Sequence, residues 1–259
     1  MNEKSKKVAA GTTQPARVSG DFRDVYARLR RDILSGALKP GDILNTVHIS
    51  QTFGVSRTPV REALRMLQTE GLVDAPYQYR MRVKAVSPSE VDGVYAIWIL
   101  AQSLAVGLTL NKTTPSELDE LRSVVADMNK ITPINARSKS AWEKLHLKYN
   151  ALLKRHAGQE IMATIESCWL RSERARSMNM RDAPRSWMTS QAEHVAVLRA
   201  FERKSALEAS KLVSAHLARV ALETIHLMDP EYVPIAIPQA LSMAAGGGGS
   251  ATGQAAAVS

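Results

Sequence analysis

Three arginines in the stretch FGVSRTPVREALRMLQTEGLV carry the clearest chemistry in the sequence. Arg57, Arg61 and Arg65 are four residues apart, so on an α-helix they lie along one face. A guanidinium group can form paired hydrogen bonds with guanine, and the hydroxyls of Ser56 and Thr58 suit phosphates. The segment therefore predicts a helix that contacts nucleic acid. The alternative is the solvated basic face of an ordinary amphipathic helix.

The elements around this helix predict a winged helix-turn-helix. Apolar residues recur every three to four positions from Phe22 and stop at Gly36, which indicates a first helix. A short second helix at about 46–53 ends at Gly54, and the arginine-bearing helix follows after a tight turn. Two β-like runs, LVDA and YRMRVKAV, then form a hairpin. In such a motif the second helix of the helix-turn-helix enters the major groove of DNA.

The charge distribution favours a polyanion as the partner of this N-terminal part. The formal net charge is +9; residues 1–86 hold 15 Lys and Arg against 8 Asp and Glu, whereas residues 87–259 hold 19 against 17. An anionic membrane surface is the competing partner, but the sequence has no long basic amphipathic helix with an aromatic-rich apolar face. The single cysteine, Cys168, excludes a disulfide framework or a Cys-based zinc cluster within one chain.

The predicted fold class is mainly α, with the winged helix-turn-helix joined to an all-α helical bundle. The predicted segments are a flexible basic arm (1–20), the DNA-binding domain (21–86), the helical domain (87–230) and a Pro- then Gly/Ala-rich tail (231–259). We expect that no apolar run approaches the ~20 residues that a membrane span requires. No apolar segment follows the basic N-terminus as a secretory signal requires. We therefore expect a cytoplasmic protein with no membrane partner.

Histidines on the predicted helices of the second domain could bind a metal. His146 and Asn150 are four residues apart, which puts two potential ligands on one helix face. His194 and His216 lie on two later helices. Spacing alone also allows packed or solvated histidines, because the sequence has no HExxH or clustered Cys/His motif.

Two segments together resemble the N-terminal signature of the GntR family of bacterial transcription regulators. They are LRRDILSGALKPGDIL, at 29–44, and FGVSRTPVREALRMLQTEGLV. The resemblance implies that bases and phosphates are contacted by Ser56, Arg57, Thr58 and Arg61. Arg65 is expected to face the DNA backbone or solvent. Two positions depart from the family pattern. Its basic residue in the preceding helix corresponds to Val47, and its Gly-rich wing tip corresponds to PYQYRMRV, where Arg80 is the best candidate for DNA contact.

The helical remainder resembles the FCD domain, the ligand-sensing domain of the FadR/VanR branch of that family, and the resemblance implies that this domain is also the dimerisation domain. Such domains commonly bind a divalent metal through an Asp or Asn and three histidines. The resemblance implies a ligand set of His146, Asn150, His194 and His216. The expected Asp is His146 and the expected His is Asn150, so three imidazoles and a weaker amide ligand remain; this set suits zinc or nickel. A metal-free pocket in which the same side chains bind the effector directly is the alternative.

The resemblance also implies a small-molecule effector, either a carboxylate or an aromatic metabolite. An arginine frequent in the first helix of the family's domain corresponds to Trp98, which favours a larger or aromatic ligand that stacks on the indole. Trp98 can equally be a core residue among its apolar neighbours. Arg171 and Arg174 could bind an anionic ligand or be solvated.

These features predict a ligand-responsive transcription regulator that represses as a homodimer on a pseudo-palindromic DNA operator. A metal-dependent enzyme that uses the His cluster is one alternative, but it requires a general acid or base beside the metal. Glu193 adjoins His194 in sequence and is expected to point elsewhere. A non-specific architectural DNA-binding protein is the other alternative, and it does not account for the large, nearly neutral helical domain.

Overall fold

The computed structural model of the 259-residue chain describes residues 21–75, 81–131, 136–179 and 184–246. The chain divides into two units, Met1–Ala85 and Val86–Ser259. Each unit has its own cluster of buried apolar side chains. A separate core is what allows a domain to fold as a unit.

The first unit is a three-helix fold with a small hairpin. Its elements are α1 (Phe22–Leu34), α2 (Thr46–Phe53), α3 (Arg57–Thr69), β1 (Val73–Asp74) and β2 (Arg82–Val83). The two strands pair antiparallel, and Ile43 adds a bridge to Arg82. The apolar faces of the three helices meet in a core that includes Val25, Leu29, Ile33, Val60, Leu64 and Leu67. This arrangement leaves the opposite face of α3 in solvent.

The turn between α2 and α3 depends on a glycine. Gly54 ends α2 in the left-handed conformation, with φ +69°, and its N–H donates to carbonyls of the last helical turn. Glycine adopts this conformation without the steric penalty that a Cβ imposes. Helix α3 then begins at Arg57 after Ser56, whose hydroxyl makes no capping hydrogen bond. The turn therefore sets the direction of α3 and leaves the Ser56 hydroxyl available to a ligand.

Gly54→Ala is expected to destabilise the first unit by about 1 kcal/mol, because alanine in the left-handed region is strained. A Cβ at this position would meet nothing within 4 Å, so the cost is conformational rather than steric. The midpoint of urea unfolding checks this prediction. Thr52→Ala, on the exposed face of α2, is the control and should change stability by less than half as much. Equal midpoints for both variants would contradict the proposed strain.

A polar contact fastens α1 to the end of α3. The Tyr26 hydroxyl donates to the Glu70 carboxylate, which also accepts a hydrogen bond from Arg30 at 3.2 Å. Burial and the negative charge of Glu70 raise the pKa of Tyr26 to about 12. The phenol is therefore a stable donor at physiological pH. It holds the C-terminal end of the arginine-bearing helix against the rest of the unit.

The second unit is built of helices. They are α4 (Pro88–Leu110), α5 (Pro115–Lys130), α6 (Ala136–Leu153), α7 (Gln159–Asn179), α8 (Pro184–Glu202), α9 (Ala206–Met228) and α10 (Ala236–Ala244). Helix α4 packs against α7, α9 and α10, while α8 packs against α5 and α9. Hydroxyl caps begin α4 and α5, and Thr114 forms a reciprocal capping box with Glu117. Thus α6, α8 and α9 are the helices that carry the predicted metal ligands.

Helix α4 corrects the expectation that no apolar run reaches the length of a membrane span. Pro88–Leu110 contains an 18-residue window with a mean hydropathy of 1.7, which is long and apolar enough by composition. However, 56% of that window is buried inside the unit. It packs mainly against α7, α9 and α10, so α4 has the character of a core helix. Sequence composition alone does not separate these two cases.

The predicted tail also needs correction, because part of residues 231–259 is a helix. In α10, Ile237 and Ala240 are buried against the second core. The Asp92 carboxylate accepts hydrogen bonds from the backbone N–H groups at 235, 236 and 237, at 2.8–3.0 Å. Burial opposes the charge of Asp92, but these hydrogen bonds outweigh it and lower its pKa. A buried carboxylate on α4 therefore caps α10 from a distant part of the chain.

Candidate nucleic-acid interface and metal centre

The exposed start of α3 carries the predicted DNA-contacting residues. Ser56, Arg57, Thr58 and Arg61 are all exposed. Among the described residues, neither Arg57 nor Arg61 has an ion-pair partner, so both guanidinium groups are available for a ligand. Arg65 differs, because its Nη1 lies 2.9 Å from Glu62 Oε1. The structure thus separates two available arginines from one that is paired on its own helix.

The wing is described only in part. Arg80, the predicted wing contact, lies outside the described residues. On β2 the exposed Arg82 is 3.5 Å from Asp74 of β1, which offsets part of its positive charge. Val47, at the position where the family pattern has a basic residue, is 39% exposed on α2. An apolar side chain there cannot supply a phosphate contact.

The second unit brings three of the predicted metal ligands together. His146 of α6, His194 of α8 and His216 of α9 offer ring nitrogens that all lie within 4.8 Å of one another. The Asn150 amide nitrogen lies 3.3 Å from His146 Nε2, one turn along α6. A half-turn of the Asn150 side-chain amide would exchange its nitrogen and oxygen, so Asn150 can present its oxygen to the same place. The three imidazoles therefore lie close together, and Asn150 adjoins the His146 ring.

His194 is the most deeply buried member of the cluster, and its ring nitrogens are the clearest sign of a ligand site. It is 3% exposed, and neither of its ring nitrogens forms a hydrogen bond with any described residue. Burial lowers the pKa of His194 well below its usual value, and positive neighbours add to the effect. The ring is therefore neutral, which is the state that binds metals. A buried polar group without a partner costs free energy, so this ring fits a site that a ligand completes.

Glu193 and Arg219 support the cluster from outside. His216 Nδ1 lies 2.6 Å from Glu193 Oε2, so a proton on Nδ1 leaves Nε2 as the metal-binding nitrogen. Arg219 donates to both oxygens of Glu193, each at 2.7 Å. Burial alone would raise the pKa of Glu193, but hydrogen bonds from His216 and Arg219 lower it to about 2. The carboxylate is therefore ionised and fixes the orientation of the His216 ring.

Sequence reasoning missed this support. Glu193 was expected to point away from the cluster because it is adjacent to His194 on α8. It does point away from His194, but it meets His216 on the neighbouring helix. Arg219 follows His216 by three residues, so helical spacing was the signal that could have placed it near the cluster. That signal required knowing that α8 and α9 pack together.

Aromatic rings line the cluster. Trp142 stacks on His146, with ring centroids 4.4 Å apart and an interplanar angle of 15°. Tyr149 lies 4.7 Å from His194 between ring centroids. Its hydroxyl is buried, makes no hydrogen bond with a described residue, and has a pKa raised by burial and by Glu193. The site thus combines imidazole ligands with a planar wall and a further hydroxyl donor.

The predicted effector contacts lie elsewhere or are not described. Trp98 is 6% exposed, its indole N–H donates to Gln102 at 3.3 Å, and its ring packs on Tyr95 and Trp169. These contacts are those of the core tryptophan that was the alternative. Arg171 is 3.8 Å from Glu90 and partly exposed. The side chain of Arg174 lies outside the described residues.

The three histidines and one asparagine of the cluster suit a late divalent metal. Neutral imidazoles bind zinc and nickel well, and an amide oxygen can act as a weaker fourth ligand. Zinc holds imidazole nitrogens at about 2.0–2.1 Å, so a modest approach of the three rings suffices. The unpaired nitrogens of His194 and the orientation of His216 by Glu193 both fit such an ion. The residues present therefore fit a divalent metal.

The first unit is a winged helix-turn-helix whose α3 presents available arginines, and the second is a helical domain with a partly buried histidine cluster. Together these features define a transcription regulator with a sensor domain. Residues 22–83 match the bacterial regulatory proteins of the gntR family, and residues 94–219 match the FCD domain. The chain belongs to the GntR family, in the branch whose members carry an FCD domain.

Individual relatives agree with this assignment. The chain is 31% identical over 132 residues to the HTH-type transcriptional regulator YdhC of Bacillus subtilis, covering 51% of this chain and 58% of that protein. It is 33% identical over 117 residues to the regulator McbR of Escherichia coli, covering 41% and 52% respectively. The matches thus span little more than half the length of these two relatives.

A solved structure of E. coli McbR/YncC resembles the fold, with a TM-score of 0.59 and 21% identity over 82% of this chain and 98% of that one. At this identity the likeness concerns the fold alone. The matches confirm the predicted family, the mainly α fold class and the general role in transcription regulation. The regulators among its relatives give no support to the enzyme alternative.

Proposed function

We propose that the protein is a cytoplasmic repressor that binds a pseudo-palindromic DNA operator as a homodimer and releases it in response to a small-molecule effector. The observation that carries this proposal is the pair of available guanidinium groups at the exposed start of α3. Arg57 and Arg61 lie where a recognition helix meets base edges, and Ser56 and Thr58 lie where it meets phosphates. A two-fold dimer presents this set once to each half-site.

The cluster of His146, Asn150, His194 and His216 is the proposed effector site. When bound there, zinc or nickel supplies a Lewis-acidic centre that can take a carboxylate ligand. The Trp142 ring favours an effector that also has a planar or aromatic part. The Tyr149 hydroxyl favours one with a hydrogen-bond acceptor. A carboxylate on an aromatic metabolite combines these features.

Three helices supply this site, and that supports a mechanism for the response. His146, His194 and His216 come from α6, α8 and α9, so a ligand that contacts all three changes how those helices pack. Two ligands that favour different packings are coupled by a free energy of typically 1–3 kcal/mol. That coupling corresponds to roughly a 5- to 150-fold change in operator affinity.

A metal-free pocket is the second candidate for the same site. The observation that favours it is the number of buried polar atoms without a hydrogen bond to described residues, on both His194 and Tyr149. An effector with several polar atoms satisfies these groups directly. Metal content of the purified protein separates the two candidates.

Selection of duplexes from a random pool is expected to yield one pseudo-palindromic site with half-sites about one helical turn apart. The dissociation constants for that site and for a scrambled site should differ by roughly 10³-fold or more at physiological salt. Fluorescence anisotropy over a salt series measures both constants. A ratio near one with a steep salt dependence would instead identify a non-specific architectural protein, since phosphate contacts alone behave that way.

A further inference from the structure

Two buried polar side chains of the second unit, besides His194 and Tyr149, have atoms that no described residue hydrogen-bonds. They are Gln102 of α4, which is 5% exposed, and Ser214 of α9, which is 1% exposed. Neither Gln102 Nε2 nor Ser214 Oγ forms a hydrogen bond with a described residue. Because buried polar groups in native proteins are nearly always hydrogen-bonded, both atoms fit a surface that a ligand completes.

Ser214 differs from the other buried hydroxyls of the second unit. Among the described residues, each of the others takes part in a hydrogen bond; they are Thr109, Ser172, Ser190, Ser210 and Thr224. Ser210 is the closest comparison, since it lies one turn before Ser214 on α9 and donates to the Ser103 carbonyl at 2.9 Å. The packing of this bundle therefore provides partners for buried hydroxyls, and Ser214 is an exception that needs its own explanation.

The side-chain amide of Gln102 has a fixed orientation. Its Oε1 accepts a hydrogen bond from the Trp98 indole N–H at 3.3 Å. An indole N–H can only donate, so the amide oxygen faces Trp98 and the NH2 group points away from it. Gln102 therefore presents a neutral donor, and Trp98 orients that donor in addition to packing in the core.

Helices α4 and α9 are antiparallel, as two contacts show. Ser210, early in α9, bonds to Ser103 in the C-terminal half of α4. The Tyr232 hydroxyl, just after the end of α9, donates to the Asp92 carboxylate near the start of α4 at 3.3 Å. Positions that follow Ser210 on α9 therefore lie beside positions that precede Ser103 on α4.

Gln102 and Ser214 consequently lie near the level of the histidine cluster. Gln102 is the neighbour of Ser103 on α4. At 1.5 Å of rise per residue, Ser214 and His216 lie about 6 Å and about 9 Å beyond Ser210 along the axis of α9. A substituted aromatic acid has a comparable length. One ligand can therefore contact the imidazoles and the two unused polar groups together.

The polar groups at this second position are neutral. Among the described residues of the second unit, the buried polar side chains include no Lys or Arg, and the buried carboxylate of Asp92 is bonded to the start of α10. A second carboxylate on the ligand would lose its water there without gaining a cation. A carbonyl or hydroxyl oxygen, in contrast, can accept from the Gln102 amide and from the Ser214 hydroxyl.

We infer that Gln102 and Ser214 form a second wall of the effector site, which binds a neutral acceptor group at the end of the effector away from its carboxylate. The effector is then an aromatic acid with a separate carbonyl or hydroxyl group, rather than a dicarboxylate. This inference rests on the proposed function, which puts the effector at the histidine cluster. It adds the residues that select among aromatic acids.

Ser214→Ala is expected to raise the Tm of the ligand-free second unit by about 2–4 °C, because it removes a buried hydroxyl that lacks a partner. Ser210→Ala is the matched control. It brings the same gain in helix propensity but breaks a formed hydrogen bond, so its Tm should lie below that of wild type. All four tryptophans lie in the second unit, so tryptophan fluorescence of the full chain follows this unfolding. A Ser214→Ala protein no more stable than wild type overturns the inference.

Ligand selectivity gives a second readout. Wild type is titrated calorimetrically with 3- and 4-acetylbenzoate and with 3- and 4-isopropylbenzoate, which keep the carboxylate and the shape but lack the carbonyl acceptor. At least one acetyl compound is expected to bind roughly 10-fold or more tightly than its isopropyl partner, because the site would otherwise leave a buried donor unpaired. Each titration is run with zinc and with a chelator, so the result does not depend on which form of the site is correct.

Gln102→Met is expected to abolish this preference, since it keeps the length of the side chain and removes the donor. Gln191→Met is the matched control, because the Gln191 amide donates to the Met128 carbonyl at 3.3 Å, and it should keep the preference. The inference is overturned if neither acetyl compound binds, if wild type binds both members of each pair equally, or if Gln102→Met still prefers the acetyl compound.

Operator binding by wild type is measured separately, so the two levels of the proposal can fail independently. If wild type selects a specific duplex while the stability and titration results go against Gln102 and Ser214, only the second wall is wrong. If no duplex is selected, the proposed function itself fails.

Discussion

Alanine in place of Arg57 or Arg61 is expected to lower affinity for the selected operator by roughly 30-fold to 10⁴-fold. A bidentate arginine–guanine contact contributes about 1–3 kcal/mol of discrimination. A two-fold dimer loses the contact in both half-sites, so the cost doubles to about 2–6 kcal/mol, at 1.4 kcal/mol for each factor of ten. Both side chains are exposed and outside the core, so the fold and the dimer should be unchanged. Anisotropy titrations with specific and scrambled duplexes measure the effect.

Arg65→Ala is the matched control on the same helix face. Because Arg65 is paired with Glu62 and its side chain is 70% exposed, its loss should cost at most one phosphate contact in each half-site. Arg57→Lys adds a sharper comparison. Lysine keeps the positive charge but lacks the planar fork, so specificity should fall while the salt dependence stays close to wild type. Equal losses for all three arginines would indicate general charge attraction rather than readout of bases.

The helix-turn-helix was predictable because its determinants are local. The apolar period, the Gly54 turn and the polar residues before each helix lie within a few residues of the structures they specify. The predicted contacts Ser56, Arg57, Thr58 and Arg61 are exposed, but no described contact tests their role in binding DNA. What the sequence could not separate was Arg65 from the other two arginines. That distinction depends on the rotamer that brings its guanidinium to Glu62.

The candidate sensor site was predictable only in part. Spacing and resemblance predicted a set of four ligands; the structure brings the three histidines together and places Asn150 beside His146, and metal binding by this set stays a prediction. The contact of Glu193 with His216 could not be predicted, because His216 is on another helix. Contact between α8 and α9 is a property of packing rather than of sequence period. The positions of Tyr149 and Trp142 beside the cluster could not be predicted for the same reason. A periodic aromatic residue predicts burial but does not say which polar group it will lie beside.

Helix α10 shows how a long-range contact can override local signals. Three prolines between 230 and 238 favour a chain that ends its regular structure there. The structure nevertheless forms a helix from 236 to 244, because Asp92 satisfies the N–H groups that open it. Asp92 and Ile237 are 145 positions apart in the sequence. No window of local sequence contains both the helix and its cap.

His194→Ala is expected to abolish tight binding of zinc or nickel. The variant removes the most buried of the three imidazoles, leaving two imidazoles and an amide around the centre. Zinc at 100 times its dissociation constant stabilises a folded protein by about 2.7 kcal/mol, which corresponds to a rise in Tm of roughly 5–10 °C for a domain of this size. Wild type should show that rise and His194→Ala should not. His226→Ala, on the exposed end of α9, is the control and should behave like wild type.

Glu193→Gln tests the group that orients the His216 ring without removing any of the proposed metal ligands. Glutamine can still accept from His216 Nδ1, but it lacks the charge that two hydrogen bonds from Arg219 hold in place. Loss of such an outer partner typically weakens metal binding 10- to 100-fold. Calorimetric titration with Zn²⁺ should therefore rank wild type, Glu193→Gln and His194→Ala in that order. If all three bind zinc equally, or none does, the cluster is not a metal centre, and the metal-free pocket accounts better for the buried nitrogens of His194.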